Sequence, residues 1–299
     1  MYYSSAVVIS ALLGASPALA GKVGSIPKWD ENPTNLGSSI VYTPTTMPEK
    51  PTIILGLHPC GGTGQMYYQM TPLPSYADKL GLVLLFPTSK SQSGMNCWDA
   101  HSNKSLTHDG GGDSQSLAGL VKWALDEYKG DPEKVFVVGG SSGAMESNVL
   151  AATYPDLFKG AASYSGVPAA CWAGSPISTP LSSDLSCPMG QKASRFTPQQ
   201  WADLARGCDV GYNGTYPKMM VVHGTADTAV TLNNLKAQLD QWSSLQGLSF
   251  TKNISNDPIA NWKRIVYGDG TQLIGFEVQG GGHIPAFQGD ATLKFFGLM

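Results

Sequence analysis

Short apolar runs alternate along the chain with stretches in which apolar positions recur every three or four residues, the pattern of strands leading into helices. Residues 52–58 (Thr-Ile-Ile-Leu-Gly-Leu-His) and 82–86 (Leu-Val-Leu-Leu-Phe) are continuous apolar runs of strand length, which predicts strands covered on both faces. Over residues 113–128, Leu117, Leu120, Val121 and Ala124 share one helical face, and Asp113 stands where a cap would. Residues 135–138 predict the next strand and 144–153 the next helix. Further strands are predicted at 160–164, 218–223, 262–267 and 273–278. Such alternation builds a mainly parallel central sheet flanked by helices, the α/β class. The segment 166–195, dense in Pro, Ser, Gly and Cys, breaks the pattern and reads as a long surface excursion. No repeat or linker appears, so residues 21–299 are expected to form one domain.

The first twenty residues follow a different rule. Ala6 to Leu13 form an apolar core, and Pro17-Ala-Leu-Ala20 ends in small-x-small, as an export signal does, although no Lys or Arg precedes the core. That core is too short for a bilayer of ~30 Å, and no later segment is long and apolar enough either. The expectation is a secreted protein with a signal over residues 1–20 and no membrane anchor. Five cysteines without close C-x-x-C spacing point to disulfides rather than a metal or redox site. Cys60–Cys97 and Cys171–Cys187 are the preferred pairs, leaving Cys208 free. Asn103, Asn213 and Asn253 open N-x-S/T triplets and become glycosylation candidates in an exported chain. With 42% hydrophobic residues the chain has ample material for a core, and a net charge of −3 gives nucleic acid no basic footprint. No cofactor or metal is expected, and a monomer suffices.

The candidate chemistry centres on Gly139-Gly-Ser-Ser-Gly143, a G-x-S-x-G match placed between a predicted strand and a predicted helix. A strand-to-helix turn with glycine on both sides of the serine is the form of a nucleophile elbow. Serine needs a base within hydrogen-bond reach. Of five histidines, His283 lies in a Gly-rich loop after the last predicted strand, and is assigned as the base. Asp227, in His223-Gly-Thr-Ala-Asp227, follows a strand and completes the chain order Ser…Asp…His; Asp257 and Asp269 are the alternatives. Oxyanion donors are expected from the backbone N–H of Ser142 and from the His58-Pro-Cys-Gly-Gly62 loop, with Cys60 nominated and Gly61 as alternative. Trp98 is the first choice for a sugar-facing platform, with Tyr67 and Tyr68 behind it.

These residues together carry a family likeness. His58-Pro-Cys-Gly-Gly62, Cys97-Trp-Asp99, Gly111-Gly-Asp-Ser114, Gly139 to Met145, Tyr164-Ser-Gly-Val-Pro168, Gly211-Tyr-Asn-Gly214, His223 to Asp227 and Gly282-His283 occur in order. The combination resembles the acetylxylan esterases of carbohydrate esterase family one, related to feruloyl esterases and polyhydroxybutyrate depolymerases. The resemblance implies an α/β-hydrolase fold and a metal-free secreted enzyme that removes acetyl groups from acetylated xylan, a plant cell-wall polysaccharide. Ser141, Asp227 and His283 match the family's catalytic positions. A feruloyl esterase with a larger aromatic pocket, or a carbohydrate-binding protein on a hydrolase fold, are the other readings. Two departures, Glu146 after the elbow and Ile284-Pro-Ala-Phe287 after the histidine, are expected to reshape the acyl pocket.

Overall fold

The computed structural model describes residues 21–299; the export signal read over 1–20 lies outside them. In chain order the elements are β1 (Lys22–Ser25), β2 (Ile40–Thr43), β3 (Thr52–Leu57), α1 (Gly64–Met70), α2 (Leu73–Leu80), β4 (Leu82–Phe86), β5 (Ser91–Gln92), β6 (Met95–Asn96), α3 (Asp113–Glu127), β7 (Val135–Gly140), α4 (Ser142–Thr153), β8 (Gly160–Tyr164), α5 (Pro198–Arg206), β9 (Lys218–Gly224), α6 (Asn233–Gln246), β10 (Phe250–Ser255), β11 (Trp262–Tyr267), β12 (Leu273–Val278) and α7 (Gly289–Phe296).

Ten strands form one sheet in the order β1-β2-β4-β3-β7-β8-β9-β12-β11-β10. From β4 to β12 every neighbour is parallel, and antiparallel strands finish each edge. Because side chains alternate across a strand, each central strand feeds two cores. Ile53, Leu55, Val135, Val137 and Val221 pack on one face with residues of α3 to α6. Ile54, Phe136, Val138 and Val222 pack on the other with α2 and α7. Covering both faces is why these strands read as unbroken apolar runs. It also leaves the carboxyl ends of β3, β7, β8, β9 and β12 at one rim, where open α/β sheets place their ligands.

Helix α4 is buried along its whole length between the sheet and its neighbours. Its polar residues must therefore find partners inside. Ser147 and Thr153 bond back to carbonyls one turn earlier, and Asn148 is held by Ser163, Gln238 and the Trp242 indole N–H. Glu146 is the exception: it is fully buried, and neither carboxylate oxygen has a partner. Burial, and then the nearby Asp113 and Asp99, push its pKa well above the usual 4.5. Above that ordinary value an unfolded chain releases the proton while the folded chain keeps it, so stability falls as pH rises. We therefore expect Glu146→Met, which keeps the length and removes the carboxyl, to raise the thermal midpoint, and to raise it more at pH 8 than at pH 5. The wild type alone should lose up to about 1.4 kcal/mol per pH unit in this window. Parallel stability-against-pH curves for the two proteins would sink this account.

Asp113 differs from its expected place. It is the first residue of α3, with Gly112 at the cap position, and its side chain accepts the N–H of Asp99 at 3.0 Å. Nor is 166–195 a surface excursion throughout. Val167, Ala169, Ala170, Cys171, Trp172 and Cys187 belong to the core, because this segment walls a cavity described below.

Candidate active site

The elbow between β7 and α4 is dictated by its glycines. A Cβ on Gly139 would lie 2.0 Å from the carbonyl oxygen of Gly143, and one on Gly143 would lie 2.1 Å from that of Leu57. Only hydrogen side chains let strand and helix approach this closely. Ser141 takes the strain of the turn, with φ 52° and ψ −118°, a conformation that side-chain-bearing residues keep only where the surroundings enforce it. Its hydroxyl is thereby presented at the rim, beside the first turn of α4.

Three strand ends meet there. His283 Nε2 lies 2.8 Å from Ser141 Oγ, and His283 Nδ1 lies 2.9 Å from Asp227 Oδ2. With Nδ1–H donating to the carboxylate, Nε2 is free to accept the serine proton. Asp227 is enclosed, and its Oδ1 accepts the N–H groups of Ala229 at 3.0 Å and Val230 at 2.9 Å. Burial opposes its charge, but the bonds from His283 and Val230 outweigh burial and hold its pKa down to about 2. The loops are stitched together by backbone bonds: Ala226 N–H donates to Gly281 O, and Thr225 N–H to Val278 O. Below them His223, fully buried, donates from Nε2 to Val230 O at 2.8 Å and so closes the turn that serves Asp227. Burial lowers its pKa, which keeps a second positive charge away from the carboxylate. The alternatives for the acid lie elsewhere: Asp257 pairs with Arg264, and Asp269 bonds Thr271 at the surface.

The loop after β3 is fixed from two sides. Cys60 is disulfide-bonded to Cys97, and Asn96 both accepts the Gly61 N–H and donates to Gly62 O. Gly61 is thus committed and is withdrawn as an oxyanion donor. Cys60 instead lines the cavity with Ser141 and Ser142, and Ser142, first in α4, has an N–H with no partner inside its helix. Two N–H groups beside one hydroxyl can bind a developing oxyanion. The second disulfide, Cys171–Cys187, staples the 166–195 segment, and Cys208 is free and buried.

Trp98 does not face a sugar. It is fully buried, its indole N–H donates to His58 O at 2.9 Å, and its backbone N–H to Ser142 Oγ at 2.8 Å. It braces the elbow against the β3 loop, the reason for a large aromatic beside Cys97. His58, also buried, has its pKa lowered to about 4 by burial, and its neutral ring bridges Pro59 O and the Ser89 N–H. Tyr67 is buried in the second core, and Tyr68 packs on Tyr42 and Phe86. Neither departure noted in the sequence enters the cavity lining: Glu146 points into the interior, and Ile284 and Phe287 pack on Gly140 and Tyr164.

A cavity of about 200 Å³ opens at Ser141 and His283. Met145, Trp172, Leu185, Met189 and Val230 give it apolar walls, most of them from the disulfide-stapled segment. The sequence offered no periodic signal for these residues. A larger groove of about 820 Å³ runs beside α7 and β11, but Ser141, Asp227 and His283 do not line it. Asn103, Asn213 and Asn253 are all exposed, the last on edge strand β10.

Residues 36–254 match the family described as Esterase PHB depolymerase. The chain is 40% identical over 287 residues to feruloyl esterase B of Neurospora crassa, covering 96% of each protein. It is 39% identical over 280 residues to acetylxylan esterase A of Emericella nidulans, covering 93% of this chain and 90% of the relative. The acetyl xylan esterase structure from Aspergillus awamori superposes with a TM-score of 0.87 at 34% identity, over 93% of this chain and all of that one. The expected α/β-hydrolase architecture and the likeness to acetylxylan and feruloyl esterases are both borne out. The chain belongs to the Esterase PHB depolymerase family and is a carboxylic ester hydrolase.

Proposed function

We propose that the protein is a secreted serine esterase that deacylates plant cell-wall xylan. The observation that carries this reading is the hydrogen-bonded chain Asp227–His283–Ser141 opening onto an apolar cavity. Ser141 Oγ attacks the ester carbonyl as His283 Nε2 takes its proton. The oxyanion is met by the N–H groups of Cys60 and Ser142. His283 then returns the proton to the departing sugar oxygen, leaving an acyl-enzyme that water, activated by the same imidazole, hydrolyses. Asp227 keeps the imidazole in the right tautomer and offsets its charge when protonated. Two disulfides accord with an oxidising, extracellular setting, and the exposed Asn103, Asn213 and Asn253 with glycosylation there.

The cavity bears on the acyl group. A polymer backbone cannot enter about 200 Å³, so the acyl chain is the part that does. One water has a share of about 30 Å³, and the methyl of an acetyl group is of similar size, so acetate leaves most of the space empty. A flat hydroxycinnamoyl group fills it against Trp172, Met145 and Leu185. This supports feruloylated xylan as substrate, in accord with the Neurospora crassa relative. Acetylated xylan is the second reading, favoured by the likeness to the Aspergillus awamori structure. Methyl ferulate and methyl acetate share a leaving group, so their ratio of kcat/KM, divided by the ratio of their alkaline hydrolysis rates, reports the acyl pocket. The burial of one aromatic ring predicts about 10–100-fold in favour of ferulate. Parity or a preference for acetate would return the assignment to acetyl; no turnover of either, or of acetylated xylan, would end the xylan-esterase reading.

A further inference from the structure

Two residues next to this site hold the backbone in the left-handed region without being glycine. Ser165, just past β8, has φ 58°, and Ile284, directly after His283, has φ 59°. For a β-branched residue such as isoleucine this conformation is a genuine outlier. Something must hold it. The two residues are bonded to one another, the N–H of Ile284 donating to Ser165 Oγ at 3.0 Å. Ser165 is itself fully buried, and its N–H donates to Val222 O at 2.8 Å, which fixes its backbone to β9. A hydroxyl has one proton to give and lone pairs to accept with. Here a lone pair accepts the Ile284 N–H.

We infer that Ser165 is a positioning residue for the proposed ester hydrolysis, its hydroxyl locking the strained His283–Ile284 backbone to the end of β8, which is itself fixed to β9. Glycine would fit φ 58° with less strain, and the next residue, Gly166, is one. The chain keeps a serine at the strained position because the side chain, not the backbone, is needed. Without it, Ile284 loses the acceptor that holds its N–H, and the histidine is free to turn away from Ser141.

The inference rests on the triad reading, and its test separates the two. Ser165→Ala and Ser165→Gly are compared with wild type and with Ser141→Ala on p-nitrophenyl acetate. Leaving the Ile284 N–H beside His283 without its acceptor predicts a fall in kcat of about 5–100-fold in both Ser165 variants, with KM little changed. Ser165→Gly should melt no lower than Ser165→Ala, since glycine relieves the backbone while both lose the same bond; an equal fall in kcat in two variants of different stability is what a purely structural role cannot produce. If Ser141→Ala is inactive while Ser165→Gly keeps full kcat, Ser165 has no positioning role. If Ser141→Ala retains activity, the triad itself falls.

Discussion

Ser141→Ala should lower kcat on p-nitrophenyl acetate by at least about 10⁴-fold, the scale seen when a triad nucleophile is removed from a hydrolase. The expectation follows from geometry. Ser141 Oγ is the hydroxyl placed 2.8 Å from His283 Nε2 and at the mouth of the cavity. Ser142 Oγ, one residue on, is occupied by the Trp98 N–H and cannot take over. The backbone at φ 52° is as accessible to alanine as to serine, so the fold should survive and the melting temperature should stay close to wild type. Residual turnover would come from the oxyanion donors alone. Activity within tenfold of wild type, in a folded variant, would remove Ser141 as nucleophile.

Asp227→Asn should cost about 10⁴-fold in kcat, for a reason that can be read atom by atom. Asp227 Oδ1 accepts two backbone N–H groups, from Ala229 and Val230. An asparagine would keep its carbonyl oxygen there and turn its amide nitrogen toward His283 Nδ1, in the place of Oδ2. Facing a donor, Nδ1 must accept, and the ring proton moves to Nε2. The imidazole then presents an N–H where Ser141 needs an acceptor. The variant should fold normally, because both backbone bonds persist, and should regain activity at high pH as serine ionisation begins to contribute. A wild-type rate at pH 7 would show that the carboxylate does not set the tautomer.

The hydrogen-bonded set Asp227, His283 and Ser141 was legible in the sequence, because each sits where a local rule applies. The elbow needs small residues around Ser141, the carboxylate follows a strand before the histidine, and His283 lies in a run of glycines. The surrounding loop chemistry was only half legible. Cys60 could be nominated, but its distinction from Gly61 depends on Asn96, which takes the Gly61 N–H from a hairpin more than thirty residues away in the chain. Trp98 carried the right signal, a tryptophan beside a motif cysteine, and the wrong expectation. Burial is a tertiary property, and composition cannot tell a bracing indole from a sugar platform.

Elements with one exposed or polar side were the hardest to read. Strand β10 is almost entirely exposed, so it shows no alternation. Helix α6 buries Asn234, Gln238 and Gln241, which bond to Cys187 O, Gly166 O and Ala169 O, and a buried polar face looks like a solvated one in sequence. Polar side chains can enter a core once distant partners meet them, and those partners are known only after folding.

What the linear chain determined by itself is therefore what local rules encode: unbroken apolar strands, the helices between them, and a serine, an acid and a histidine at strand ends in hydrolase order. What tertiary structure alone decided is whatever depends on segments far apart. It set the 200 Å³ cavity walled by a segment with no periodic pattern, the orphaned carboxyl of Glu146, and the Ser165–Ile284 bond beside the histidine. The physical reason is that periodicity reports which face of an element avoids water, whereas a pocket or a bond between loops is a relation between elements, fixed only when the sheet brings their ends to one rim.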